Sequence, residues 1–144
     1  MTTSWDQAKF ALKPKTKGFH LVTEEILSNV PEIRDYKIGQ LNLFIQHTSA
    51  GLTINENYDP DVRTDLINIF DRIVPDDAEY IHILEGLNDA KSHGQATITG
   101  LNVTVPISNG KLAFGTWQGI YLAEFRDNKP SRRIVATING LKEK

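Results

Sequence analysis

A chain of 144 residues, 40% hydrophobic and 24% charged, has the size and composition of a single compact domain spanning 1–144. With a formal net charge of −2 and no basic run longer than Arg132-Arg133, it has no electrostatic reason to bind nucleic acid or an anionic membrane. The absence of cysteine removes disulfides, thiolate ligands and a Cys nucleophile together, which leaves His, Asp and Glu to hold any metal. The N-terminus shows no signal-peptide pattern and no apolar run reaches about 18 residues, so the sequence reads as that of a soluble, cytoplasmic protein.

In chain order, Trp5–Leu12 alternates loosely and is followed, after a Lys/Pro turn, by the apolar Phe19–Val22; together they read as a β-hairpin. Thr23, Glu24 and Glu25 read as a hydroxyl cap and acidic first turn of a helix. Its apolar face is Ile26, Leu27, Val30 and Ile33, and Pro31 ends or bends it. Lys37–Gln46 reads as a strand, and Leu52–Asn55 as another after the Ser49-Ala50-Gly51 turn. Asp59-Pro60 is a carboxylate cap with proline at the first helical position. Val62, Leu66, Ile69 and Ile73 then mark one helix face, and Pro75 stops the helix at Val74.

From Asn102 onward the pattern is strand. Asn109-Gly110 predicts a two-residue hairpin turn that pairs Ile107 with Leu112 and Val105 with Phe114, with Pro106 at an edge or bulge. Gly119–Phe125 and Arg133–Ile138 complete the set. The prediction is an α+β domain: a mixed, mostly antiparallel sheet folded into a β-sandwich, with two or three helices.

Of four histidines, His20 reads as structural. His47 shares strand parity with the aliphatic Leu41, Leu43 and Ile45, so it is expected to point inward. His82 shares parity with Tyr80 and Leu84 and precedes Glu85 and Asp89, while His93 lies in the polar junction KSHGQATITG. Each can be a core imidazole satisfied by a carbonyl, or all three can share a site, since three histidines with an open position are a recurring metal geometry. Their spacings match no local metal motif. Glu56, Glu85, Asp89 and Glu124 are candidates for outer partners of a ligating His or for proton-transfer groups, and Glu124 is alternatively a solvent-facing strand residue. Asp59 and Asp61 are explained as helix-start acids. Gly115–Gly119 is a wide loop or a rim offering Trp117 and Gln118 to a ligand, and Thr48, Ser49 and Asn55 complete the substrate-positioning candidates.

HTSAGLTINENYDPDV (47–62), EGLND with His93 (85–93) and NGKLAFGTWQGIYLAE (109–124) resemble the YjbQ family, small proteins described as secondary thiamine-phosphate synthases. The resemblance runs from about residue 15 to residue 140. It implies a sandwich fold, a homotrimer, and a divalent metal ion (Zn or Mg) held by His47, His82 and His93. The implied reaction joins a pyrimidine diphosphate to a thiazole phosphate with loss of pyrophosphate. A phosphorylated small metabolite would be the substrate, Glu56, Glu85 and Asp89 the catalytic carboxylates, and Thr48, Ser49, Asn55 and Gln118 its contacts. The chain departs from the family pattern at Asn88 and Gln95, where an acid and a lysine are usual; Lys91 is the alternative cation. A metal-dependent hydrolase of a phosphorylated or acyl metabolite, and a non-enzymatic metal or metabolite binder, remain open beside the synthase.

Overall fold

Alternation along the strands sorts apolar side chains to two faces, and the computed structural model, which describes residues 2–142, shows two sheets using them differently. In order, the elements are β1 (Ser4–Leu12), β2 (Gly18–Leu21), α1 (Thr23–Leu27), a 3₁₀ turn (Pro31–Asp35), β3 (Tyr36–Ile45) and β4 (Ala50–Glu56). They continue with α2 (Pro60–Ile73), α3 (Leu87–Thr99), β5 (Asn102–Ser108), β6 (Lys111–Leu112), β7 (Gln118–Glu124) and β8 (Arg132–Lys142). One sheet runs β1-β8-β3-β5-β6 and the other β2-β7-β4. Every pairing among the described residues is antiparallel, so the sheet is not mixed as expected.

The main core lies between the sheets. Leu41, Leu43 and Ile45 of β3 meet Ala50 and Leu52 of β4 and Ile120 and Leu122 of β7, all at most 1% exposed. A second core lies on the other face of the small sheet, where Phe19, Tyr121, Ala123 and Phe125 receive Ala96 of α3 and Leu66, Ile67 and Phe70 of α2. The molecule is thus layered as sheet, sheet and helices, and β7 is the strand buried on both faces from Gly119 to Glu124.

The expected β1–β2 hairpin does not form. β1 pairs with β8 from Ser4↔Gly140 to Leu12↔Arg132, and β2 pairs with β7. Leu12 belongs to the main core and Phe19 to the second, and two strands of one hairpin cannot serve both. Thr23 is not the cap of α1: its hydroxyl accepts from Ile120 N–H at 2.9 Å and ties the helix to β7. Asp59 does cap α2, accepting from Asp61 N–H at 2.9 Å, and the helix ends before Val74. At the Asn109-Gly110 turn Ile107 pairs with Leu112 as expected, but β6 stops there and Val105 has no partner in Phe114. Pro106 turns its carbonyl to Ala113 N–H of this edge segment, so its missing N–H costs nothing on the β3 side.

Candidate metal centre

An i, i+4 pair on a helix lies on one face, and α3 places Asp89 and His93 in that relation, on the first and second turns. His82 reaches the same place from the irregular segment before the helix, not from a strand as its parity predicted. Nε2 of His82 and Nε2 of His93 stand 3.1 Å and 3.0 Å from one carboxylate oxygen, Oδ2 of Asp89. Asp89 is only 2% exposed while the two rings are half-exposed, so the carboxylate forms the floor and the imidazoles the mouth.

Burial alone would raise the Asp89 carboxyl. The facing His93 ring, the Arg126 guanidinium and His82 outweigh it and hold the carboxyl below the usual carboxylate range. Arg126, on the β7–β8 connection, donates from Nη1 to Oδ1 of Asp89 and lies 3.7 Å from Oε2 of Glu85. Nδ1 of His93 lies 2.9 Å from the carbonyl oxygen of Thr48. A carbonyl can only accept, so Nδ1 carries the hydrogen and Nε2 is left to present a lone pair. Without an ion, the approach of Nε2 to Asp89 needs a proton on that nitrogen as well; a bound cation would take that proton's place.

The donor set fits a divalent metal. The three ligand atoms lie within 4.8 Å of one another, and the two measured edges approach the roughly 3.3 Å that tetrahedral bonds of about 2.0–2.1 Å require. Two imidazoles and one carboxylate suit zinc or another first-row ion better than magnesium, which prefers an all-oxygen shell. A cleft of about 560 Å³ opens beside the rings, walled by Thr48, Ala96, Thr97, Gly100 and Leu101, with no Lys or Arg among its described lining residues.

The remaining candidates lie elsewhere. His47 sits just past the end of β3, half-buried, and its Nε2 accepts from Arg133 N–H at 2.9 Å. Burial, then the neighbouring Arg132, holds its pKa below the ordinary histidine value. Ser49 is buried, with its hydroxyl 2.8 Å and its carbonyl 3.2 Å from Nη2 of Arg132. Asn55 and Glu56 are at the end of β4 where Glu56 pairs with Gln118, opposite the end where Ala50 pairs with Glu124. Six residue steps of strand separate those ends, about 20 Å. There Asn55 Oδ1 accepts from Glu56 N–H, Glu56 Oε2 from Asp59 N–H, and Gln118 Oε1 from Gly115 N–H. Lys91 is 3% exposed and spends its charge on Asp71 and Asp76, each 2.9 Å away. Glu124 is fully buried and paired with Arg132, so its solvent-facing reading is overturned: β7 is covered on both sides.

Arg126, Arg132 and the Thr48 carbonyl were not singled out from sequence. The i, i+4 spacing of Asp89 and His93 is the available signal, hidden because the polar stretch KSHGQATITG shows no apolar helical period.

A two-sheet α+β sandwich backed by two helices, with a His₂Asp cluster at the start of one of them, defines the class of this molecule. The family model described as UPF0047 protein YjbQ-like matches residues 8–141. The chain is 46% identical over 136 residues to the UPF0047 protein YjbQ of Escherichia coli O157:H7, covering 94% of this chain and 99% of that one. It is 41% identical over 119 residues to a UPF0047 protein of Methanocaldococcus jannaschii, 83% of each chain. The crystal structure of an uncharacterised YjbQ/UPF0047 protein from Clostridium acetobutylicum superposes with a TM-score of 0.78 at 37% identity, over 88% of this chain and 96% of that one. A YbjQ-like protein of unknown function from Sulfolobus solfataricus shares the fold, with a TM-score of 0.85 over 96% of this chain and 99% of that one at 24% identity. The chain belongs to the YjbQ/UPF0047 family. No helix among the described residues is long and apolar enough to cross a membrane.

Proposed function

We propose that this protein binds a divalent transition-metal ion, zinc being the best fit, through His82, His93 and Asp89, and hydrolyses a small uncharged acyl metabolite there. The observation that carries the reading is the convergence of two imidazole Nε2 atoms on one buried carboxylate oxygen, 3.1 Å and 3.0 Å away. When bound, such an ion supplies Lewis acidity and water activation at an open coordination position. The chain's own residues do the rest. Thr48 holds the His93 ring in one tautomer, Arg126 engages the second oxygen of Asp89, and Glu85, exposed beside Arg126, is the candidate proton acceptor. The adjoining cleft favours an ester- or amide-like substrate with an apolar flank, because, the two ligand rings aside, its described walls carry methyls and hydroxyls and no Lys or Arg.

Secondary thiamine-phosphate synthesis is the second reading, favoured by Arg126, the guanidinium at the rim that a leaving pyrophosphate would meet. Asp89 and Glu85 compete for that guanidinium, which is why we rank this reading below hydrolysis. Self-association belongs to the proposal too. Ile81 and Leu84, 98% and 95% exposed on the segment that carries His82, are large apolar surfaces that a second copy would cover.

The test is zinc titration of chelator-stripped protein, followed by turnover assays. We expect one zinc per chain, at least about 100-fold weaker binding in His93→Ala and Asp89→Asn, and cleavage of short-chain esters only by the loaded wild type. Thiamine phosphate formed from the two phosphorylated precursors, without ester cleavage, would select the second reading. Wild-type protein that takes up no zinc, nickel or manganese would end the metal proposal.

A further inference from the structure

We infer that Glu124 and Arg132 are positioning residues for this centre: one buried carboxylate anchors the outer partners of both ligands on α3. The inference rests on the metal reading above and extends it to residues that touch neither ion nor substrate.

Glu124 is 0% and Arg132 4% exposed, and the pair is doubly bonded, Nε to Oε1 at 2.7 Å and Nη2 to Oε2 at 2.6 Å. Desolvating two charges offsets much of their attraction, so such a pair explains little stability by itself. What it does here is hold backbone, along two arms. In the first, Nη2 of Arg132 donates to the carbonyl of Ser49 at 3.2 Å and to its hydroxyl at 2.8 Å. That fixes the turn between β3 and β4, and the preceding carbonyl, of Thr48, is the one that receives His93 Nδ1–H at 2.9 Å. In the second, Oε2 of Glu124 accepts from the backbone N–H of Arg126 at 3.0 Å, and the Arg126 side chain donates to Oδ1 of Asp89.

Both arms therefore end on the centre: one orients the His93 ring, the other leaves Oδ2 of Asp89 free to face the two imidazoles. Glu124 can serve both because β7 is the buried middle strand, with β4 on one side and its own exit to Arg126 at the end. His82 comes from an exposed segment and has no such arm, so the device orients two donors and leaves the third to adjust.

The experiment compares Glu124→Gln and the paired replacement Glu124→Leu with Arg132→Met. The second swaps the ion pair for apolar side chains of similar bulk, a change that buried pairs tolerate in stability. Two readouts are taken: zinc affinity, and exchange protection of the His93 Nδ1–H in protein labelled with ¹⁵N-histidine, without metal. We expect both variants to fold with wild-type circular dichroism, to bind zinc about 10–100-fold more weakly, and to lose the protected ring N–H. A paired variant that keeps wild-type melting and still loses affinity separates positioning from a structural role. Unchanged affinity and an unchanged protected N–H in that variant overturn the inference. Should the wild type bind no metal, the protected N–H alone still decides whether Glu124 and Arg132 hold His93, so the two readings fail independently. Should Glu124→Gln not fold, the paired variant and Ser49→Ala, which removes one bond of the first arm, carry the test, with a smaller loss expected for Ser49→Ala.

Discussion

Nε2 of His47 accepts a hydrogen bond from the Arg133 backbone N–H at 2.9 Å, one step past the last backbone pair between β3 and β8. Gln46 N–H already bonds the Arg133 carbonyl at 3.0 Å, so the imidazole stands in for a ladder acceptor where the strand has ended. Its Nε2 lone pair is thereby occupied within the fold.

The expected consequence is that His47→Gln, whose Oε1 can take the same N–H, keeps both stability and zinc stoichiometry. His47→Leu loses about 1 kcal/mol and still binds zinc. Metal analysis and chemical denaturation of the two variants check this; loss of zinc in His47→Gln would return His47 to the ligand set.

What was legible in the sequence was local. β3 declared itself by alternation, α2 by its Asp59-Pro60 start and apolar face, and the β5–β6 turn by Asn109-Gly110, each a signal contained in a few neighbouring residues. Which strand pairs with which was not, because β1 and β2 part to serve cores on opposite sides of the small sheet. Helix α3 escaped for a different reason. Beside Ala90 and Ala96 it buries Asp89, Lys91, Ser92 and Gln95, so its inner face is mostly polar and carries no strong apolar period, and His93, Gly94 and Thr97 are poor helix formers. With the helix went the i, i+4 relation of Asp89 and His93. His47 stands out by its aliphatic face and His82 and His93 by their polar company, and the latter two share the cluster. Asp89 was named as a carboxylate near them but not as the group on which they converge. Glu124 shows the limit of alternation: parity predicts two faces and cannot say that both are covered.

The hydroxyl of Tyr36, 1% exposed, donates to Oδ2 of Asp6 at 2.7 Å, and Lys142 approaches the same oxygen to 3.2 Å. The Tyr36 bond, with burial opposing and Lys142 assisting, holds the Asp6 carboxyl below its usual value of 3.8. A carboxylate whose folded pKa is depressed stabilises the fold above its unfolded value and loses that contribution as pH falls through the folded one. Tyr36→Phe is therefore expected to cost about 1–2 kcal/mol at neutral pH, with the gap to wild type narrowing as pH falls below 3.8. Urea denaturation of both proteins between neutral and acid pH measures it. A gap that stays constant across the range would show that Asp6 does not titrate against this bond.

Gly110 closes the β5–β6 turn at φ +78°, and a Cβ there would lie 2.9 Å from the carbonyl oxygen of Arg34. The turn cannot retreat cheaply, since Asn109 and Gly110 N–H groups bond the carbonyls of Lys37 and Tyr36, both at 2.8 Å, and seat the hairpin tip on the start of β3. Gly100, at φ +94° and ψ 162°, has nothing within 4 Å of its would-be Cβ, so a side chain there meets backbone strain without collision. Gly100→Ala should cost about 1–3 kcal/mol, because that backbone region is essentially open to glycine alone. Gly110→Ala adds the clash with Arg34 to a left-handed penalty of about 1–2 kcal/mol and should cost about 2–3 kcal/mol. Each kcal/mol corresponds to about 2–4 °C in melting temperature for a chain of this length. Melting curves of the two variants decide the point: a Gly110→Ala loss of no more than about 1 kcal/mol, the low end of the left-handed penalty, would mean that the tip can lift away from Arg34, and that its two bonds to β3 contribute less than their geometry implies.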